Sequence, residues 1–121
     1  MKLKESGEMY LETIHVLSLK KPYVRSIDVV DYMGYSKPSV SRAVGLLREG
    51  GYLTMDSDGS LHLTDLGKEV AEKTYERHTV LSKFFINIGV SEEVATADAC
   101  KMEHVISDET FAALKKYAHL D

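Results

Sequence analysis

Residues 26–51 read SIDVVDYMGYSKPSVSRAVGLLREGG, and their periodicity decides the fold of the first half of the chain. Ser26 reads as the N-cap of a short helix with Asp28 in its first turn and Ile27, Val30 and Met33 inward. Gly34-Tyr35 makes a turn, and Ser36 caps a further helix that tolerates Pro38 in its first turn. Val40, Val44 and Leu47 form that helix's apolar stripe, and Gly50-Gly51 stop it. Two short helices joined by a glycine-containing turn are the helix-turn-helix pattern, in which the second helix reads DNA. The face it leaves exposed carries Lys37, Ser39 and Arg42, with Ser36 at its start. Short hydroxyls and long cations suit phosphate oxygens and base edges.

The flanking segments extend the pattern. Tyr10, Ile14 and Leu17 mark an amphipathic helix over 5–20, ended by Lys20-Lys21-Pro22, with Met9 and Glu12 sharing a neighbouring face. Tyr52–Met55 and Ser60–Leu63 read as two strands around Asp56-Ser57-Asp58-Gly59. Three helices and a hairpin make a winged helix-turn-helix. The wing tip bears two aspartates and no cation, which argues against a strong phosphate grip. Thr64 then caps a long helix to about Asn87, with Leu66, Val70, Tyr75, Leu81 and Phe84 among its apolar positions and Arg77-His78 in its middle. Ser91-Glu92-Glu93 and Ser107-Asp108-Glu109 open two more helices, the last with Phe111, Leu114 and Ala118 inward. This half is helical, acidic and apolar on several faces, which suits a dimerisation body.

Within it lies Asp98-Ala-Cys-Lys-Met-Glu-His-Val-Ile-Ser-Asp-Glu109. If this run is helical, Cys100, Glu103 and His104 share one face at i, i+3 and i+4. Thiolate, carboxylate and imidazole are all metal donors. The bland alternative is a packed cysteine beside a solvated Glu-His pair.

Composition bounds the rest. A chain of 121 residues with 44% hydrophobic and 28% charged residues is an ordinary globular one, long enough to fold without disulfides, and its one cysteine permits no internal bridge. No apolar run approaches the roughly 20 residues of a membrane span, and the N-terminus lacks a signal-peptide apolar stretch, so a cytoplasmic protein without a membrane partner is expected. Residues 1–50 hold eight Lys/Arg against six Asp/Glu, and residues 51–121 hold seven against thirteen. A mildly basic head on an acidic body suits DNA binding by the first and metal or partner binding by the second. No H-E-x-x-H, Gly-rich loop or nucleophile constellation is present, so an enzyme, including a metal-dependent hydrolase, is not expected.

These residues together resemble the diphtheria-toxin-repressor family of metal-activated bacterial repressors. The resemblance rests on Glu8-Met9-Tyr10-Leu11-x-Thr13-Ile14, on Ser36-Lys37-Pro38-Ser39-Val40-Ser41, on Leu63-Thr64-x-x-Gly67 and on Cys100-x-x-Glu103-His104-Val105-x-Ser107-Asp108-Glu109. It implies a homodimer that binds double-stranded palindromic operator DNA only with divalent metal bound; Ser36, Lys37, Pro38, Ser39 and Arg42 at the start of the reading helix are the expected DNA-contacting residues. In the iron-responsive branch the matching main site would be Met9, Cys100, Glu103 and His104, with His78 in a second site. That second site would lack two ligands, because Ser82 and Thr96 stand at their positions. Glu12 matches a ligand of the manganese-responsive branch, whose carboxylates at the positions of Met9 and Cys100 are absent, so the set is a hybrid. Two soft sulfur donors favour Fe(II) first and Mn(II) second, with Co(II) or Ni(II) accepted in vitro. The chain also stops short of the SH3-like domain of longer iron sensors.

The expected architecture is mainly α, a winged helix-turn-helix over 1–64 followed by a helical metal-binding and dimerisation domain over 65–121. The alternative within the same fold is a winged-helix regulator that senses an organic ligand or protein partner, with Cys100 and His104 merely packed.

Overall fold

The computed structural model describes residues 3–118, with six helices, α1 to α6, and two strands, β1 and β2, among them. It divides into two compact units, Met1–Glu72 and Lys73–Asp121, and the division falls within α4 (Asp65–Asn87).

The first unit begins with α1 (Glu5–Lys20), which buries Tyr10, Leu11, Thr13, Ile14 and Leu17. The expected stripe of Tyr10, Ile14 and Leu17 is thus inward, widened by Leu11, and the helix ends just before Pro22. In α2 (Ser26–Met33) the N-cap is Arg25, one residue earlier than the serine rule predicts. The Asp28 carboxylate accepts the Arg25 backbone N–H at 2.8 Å and pairs with Lys21, so an acid three residues into the helix does the capping. The inward face also differs from expectation. Val29 is fully buried, with Val30 and Met33 packed beside it, whereas Ile27 is exposed. Residues at i, i+3 and i+6 drift around a helix by roughly 60° per step. A face centred on Val29 and Met33 therefore leaves Ile27 well to one side.

Gly34 closes α2 in the left-handed region at φ 73°, a conformation open to glycine at little cost. α3 (Lys37–Glu49) follows, with Ser36 Oγ accepting the Ser39 N–H at 3.3 Å and Pro38 in the first turn. Val40, Val44 and Leu47 are buried as the periodicity requires. β1 (Leu53–Met55) and β2 (Leu61–Leu63) pair antiparallel with Leu53 opposite Leu63, each starting one residue later than expected. Leu61 N–H also donates to Val24 O at 2.7 Å, which ties the hairpin to the loop before α2. One core collects Leu11, Ile14, Val29, Val40, Val44, Leu47, Leu53, Leu61 and Ala71.

Thr64 joins the hairpin to α4. Its Oγ1 accepts the Gly67 N–H at 3.1 Å and donates to Gly51 O at 2.6 Å, while its own N–H donates to Tyr52 O at 3.1 Å. Gly67 lies so close to the Tyr52 backbone that a Cβ there would stand 2.0 Å from the carbonyl oxygen.

The second unit holds the rest of α4, then α5 (Glu92–Met102) and α6 (Asp108–Ala118). Ser91 caps α5, and Ser107 Oγ accepts the Thr110 N–H at 3.1 Å to cap α6. Val80, Phe111 and Ala118 form its core cluster with Phe84 and Ile106 against them, and Leu81, Ala95 and Ala99 are buried too. Phe111 and Ala118 are inward as expected, and Leu114 is half-buried. Among the described residues no helix is long and apolar enough to cross a membrane.

Candidate metal centre

Two imidazoles of the second unit converge on Glu103. α5 ends at Met102, and Glu103 follows at its C-cap in right-handed geometry, its N–H donating to Ala99 O at 2.9 Å. The chain then turns through His104, Val105 and Ile106 before α6. Cys100, Glu103 and His104 therefore do not share one continuous helix. Cys100 lies on α5 and is exposed, Glu103 is buried at the helix end, and His104 is in the turn.

That turn sets the Glu103 carboxylate between two imidazoles. His78 Nδ1, from α4, is 2.9 Å from Glu103 Oε2, and His104 Nε2 is 3.2 Å from Oε1. The Glu103 side chain is fully buried and the His104 ring nearly so, whereas His78 is 28% exposed. A buried carboxylate needs hydrogen bonds or opposite charge to offset lost hydration. The His78 ring nitrogen is within hydrogen-bonding distance of Oε2, and the His104 ring nitrogen faces Oε1. The donor set also fits a divalent transition ion. Two ligands each about 2.1 Å from one ion and at right angles are roughly 3 Å apart, close to the spacing of these N and O atoms. Imidazole and carboxylate suit Mn, Fe or Zn.

Met9 and Glu12 both lie on α1 in the first unit, three residues apart and half-buried. In the same unit, Ser36 at the N-cap of α3 and Lys37, Pro38, Ser39 and Arg42 on the helix are all exposed, with Ser36 Oγ donating to Ser39 Oγ at 2.8 Å. The wing acids are occupied locally. Asp56 pairs with His62 Nε2 at 2.7 Å, and Asp58 accepts from Arg25 and from the Ser60 N–H. The Ser60 bonds chiefly, with Arg25 nearby, hold the Asp58 carboxyl below its ordinary range.

Two family models match almost end to end. Residues 2–61 match the DNA-binding domain of the iron-dependent repressors, and residues 64–119 match their metal-binding and dimerisation domain. The transcriptional regulator MntR of Salmonella typhimurium is 34% identical over 110 residues, covering 91% of this chain and 70% of its own. The chain belongs to the diphtheria-toxin-repressor family of metal-dependent transcriptional repressors. The iron-dependent repressor IdeR of Mycobacterium bovis is 30% identical over 115 residues, 94% of this chain but half of its own length. These relatives are transcriptional regulators, not enzymes. The fold agrees. A solved manganese-dependent transcriptional repressor in complex with manganese superposes with a TM-score of 0.86 at 24% identity. This family member covers 95% of itself in that match and spans only 53% of that chain.

Sequence reasoning passed over one side chain at this repressor's donor cluster. Arg77, next to His78 on α4, is buried, and its guanidinium donates to the Glu103 and Ile106 carbonyls and to Asp108. The only sequence signal was a cation at a position that the helical period places inward.

Proposed function

We propose that this chain is a cytoplasmic, homodimeric repressor of metal-homeostasis genes that binds palindromic operator DNA when a divalent ion is bound. Residues 1–64 form the reading head and residues 65–121 the metal-binding and dimerisation body. The observation that carries the reading is the buried Glu103 carboxylate bracketed by His78 and His104. Glu103, His104 and His78 from the body, with Met9 and Glu12 from α1 and Cys100 from α5, are the residues that would hold the ion. The ion would supply positive charge to offset that of the Glu12 and Glu103 carboxylates.

The chain's own residues do the rest. Without the ion, two carboxylates of the donor set, Glu12 and Glu103, would keep their negative charge, which disfavours bringing them to one site. With that charge neutralised, the state that binds DNA would be favoured. The effector would act through its differential affinity for that state. On DNA, Arg42 reaches a base edge or phosphate in the major groove. Lys37 and the Ser36 and Ser39 hydroxyls meet the backbone, and Pro38 fixes the start of the reading helix.

Met9 and Cys100 are soft donors, and Mn(II) sits lowest in the affinity order and prefers oxygen, so Fe(II) ranks first. Mn(II) is second, favoured by Glu12 and by the likeness to regulators named MntR. A gel shift on an operator fragment, run anaerobically against free Fe(II) and Mn(II), tests both parts. Binding is expected with metal and lost with chelator, and Met9→Asp with Cys100→Glu should shift activation towards Mn(II). Equal binding with and without chelator refutes the metal switch. An unaltered protein that already prefers Mn(II), or a double variant with unchanged preference, refutes the ranking.

A further inference from the structure

Among the described residues of the second unit, Arg77 is a buried cation that the proposed function leaves without a task. Its side chain is 9% exposed, and its hydrogen bonds run to a turn 26 to 31 residues away in sequence. Nη1 donates to Glu103 O at 3.2 Å and to Ile106 O at 2.7 Å, and Nη2 pairs with Asp108. Cζ lies 5.4 Å from the centre of the Phe111 ring, and Lys73 Nζ reaches the same Asp108 carboxylate at 3.1 Å.

A helix end leaves its last carbonyls without intrahelical donors, and a cation is favoured there. Arg77 meets both needs after α5. The residue whose carbonyl it grips is Glu103, and the next residue on its own helix is His78. One planar fork therefore sets α4 against the turn that carries the other two donors.

We infer that Arg77 is a positioning residue for the metal centre, holding the 103–108 turn so that Glu103 and His104 face His78 before an ion arrives. This rests on the metal-binding reading above. Groups behind the ligands typically contribute 10- to 100-fold in metal affinity by fixing ligand orientation. Arg77 does so through the backbone of a ligand residue rather than through its side chain. Removing the fork should leave the donors present but loosely placed.

The test uses Co(II) as the probe on the full chain, with affinity from chelator competition and site geometry from the visible d–d absorption. Arg77→Met keeps the length and apolar stem, Arg77→Lys restores one donor, and Val80→Ala loosens the Val80–Phe111–Ala118 cluster without touching Arg77's polar partners. The melting temperature of each metal-free protein is measured alongside. Arg77→Met should lose 10- to 100-fold in Co(II) affinity with an altered d–d band, and Arg77→Lys should recover part of both. Val80→Ala should lower the melting temperature while leaving affinity and band nearly native. If Arg77→Met does not fold by circular dichroism, Asp108→Asn takes its place, with a smaller affinity loss and a band change expected. Native affinity and band in the folded Arg77→Met or Asp108→Asn protein would overturn the inference and leave the metal reading standing. So would an equal affinity loss in Val80→Ala at matched melting temperature. An unaltered protein that takes up no Co(II) would overturn both.

Discussion

Gly67 to alanine should destabilise the first unit even though it replaces the poorest non-proline helix former with the best. In an open helix the exchange stabilises by about 1 kcal/mol. Here the added Cβ would stand 2.0 Å from Tyr52 O and 3.0 Å from its carbonyl carbon, far inside any real contact. The obstacle is backbone, so no rotamer change relieves it, and the start of α4 must move from the Tyr52 strand entry by roughly 1 Å. Three hydrogen bonds hold that junction: Thr64 N–H to Tyr52 O, Thr64 Oγ1 to Gly51 O, and Gly67 N–H to Thr64 Oγ1. Loosening all three costs about 3 kcal/mol at about 1 kcal/mol each. Set against the helical gain, this leaves a net loss of about 2 kcal/mol, within the range seen for overpacking. Gly45 is the matched control. It lies inside α3, and a Cβ there meets nothing within 4 Å, so Gly45→Ala should gain about 1 kcal/mol. Urea unfolding followed by helical circular dichroism measures both. A Gly67→Ala protein as stable as the unaltered one, or a Gly45→Ala protein that loses as much, refutes the steric argument.

Two further outcomes follow from the first unit. Arg42→Ala should cost roughly 1–3 kcal/mol of operator affinity with metal binding and dimerisation unchanged, and unaltered affinity would move the reading surface off α3. Asp28→Asn should cost about 1 kcal/mol of stability at neutral pH, as a lost helix cap does. The Lys21 hydrogen bond first, then the Arg25 N–H, hold this carboxyl below its ordinary 3.8. Its contribution is therefore complete above that value and is lost as the pH falls through the lower folded value. The gap between the two proteins in urea midpoint should be constant from neutral pH to about 5 and close in stronger acid. A gap that persists unchanged at low pH would show that the Asp28 charge is not what stabilises α2.

How far the sequence could be read depended on whether each cause was local. The head was legible because its signals lie within one turn of what they govern. Ser36 caps the helix it precedes, Gly34 takes the left-handed turn beside it, and Val40, Val44 and Leu47 repeat at the helical period. The fault in α2 was of the same local kind, since an eight-residue helix offers too few apolar positions to choose between the faces of Ile27 and Val29. The donor cluster was harder because its decisive contacts are distant. Cys100, Glu103 and His104 fit a helical spacing, and nothing between Met102 and Ser107, neither glycine nor proline, announces a stop. The turn that follows α5 is held partly from another helix, since Arg77 donates to the carbonyls of Glu103, at the C-cap, and Ile106. Once the chain turns there, Glu103 is buried between His78 and His104, while Cys100 stays one turn back and exposed. The residue types pointed to metal chemistry, but which donors meet depends on contacts from α4 that lie 25 and 26 residues from Glu103 in sequence.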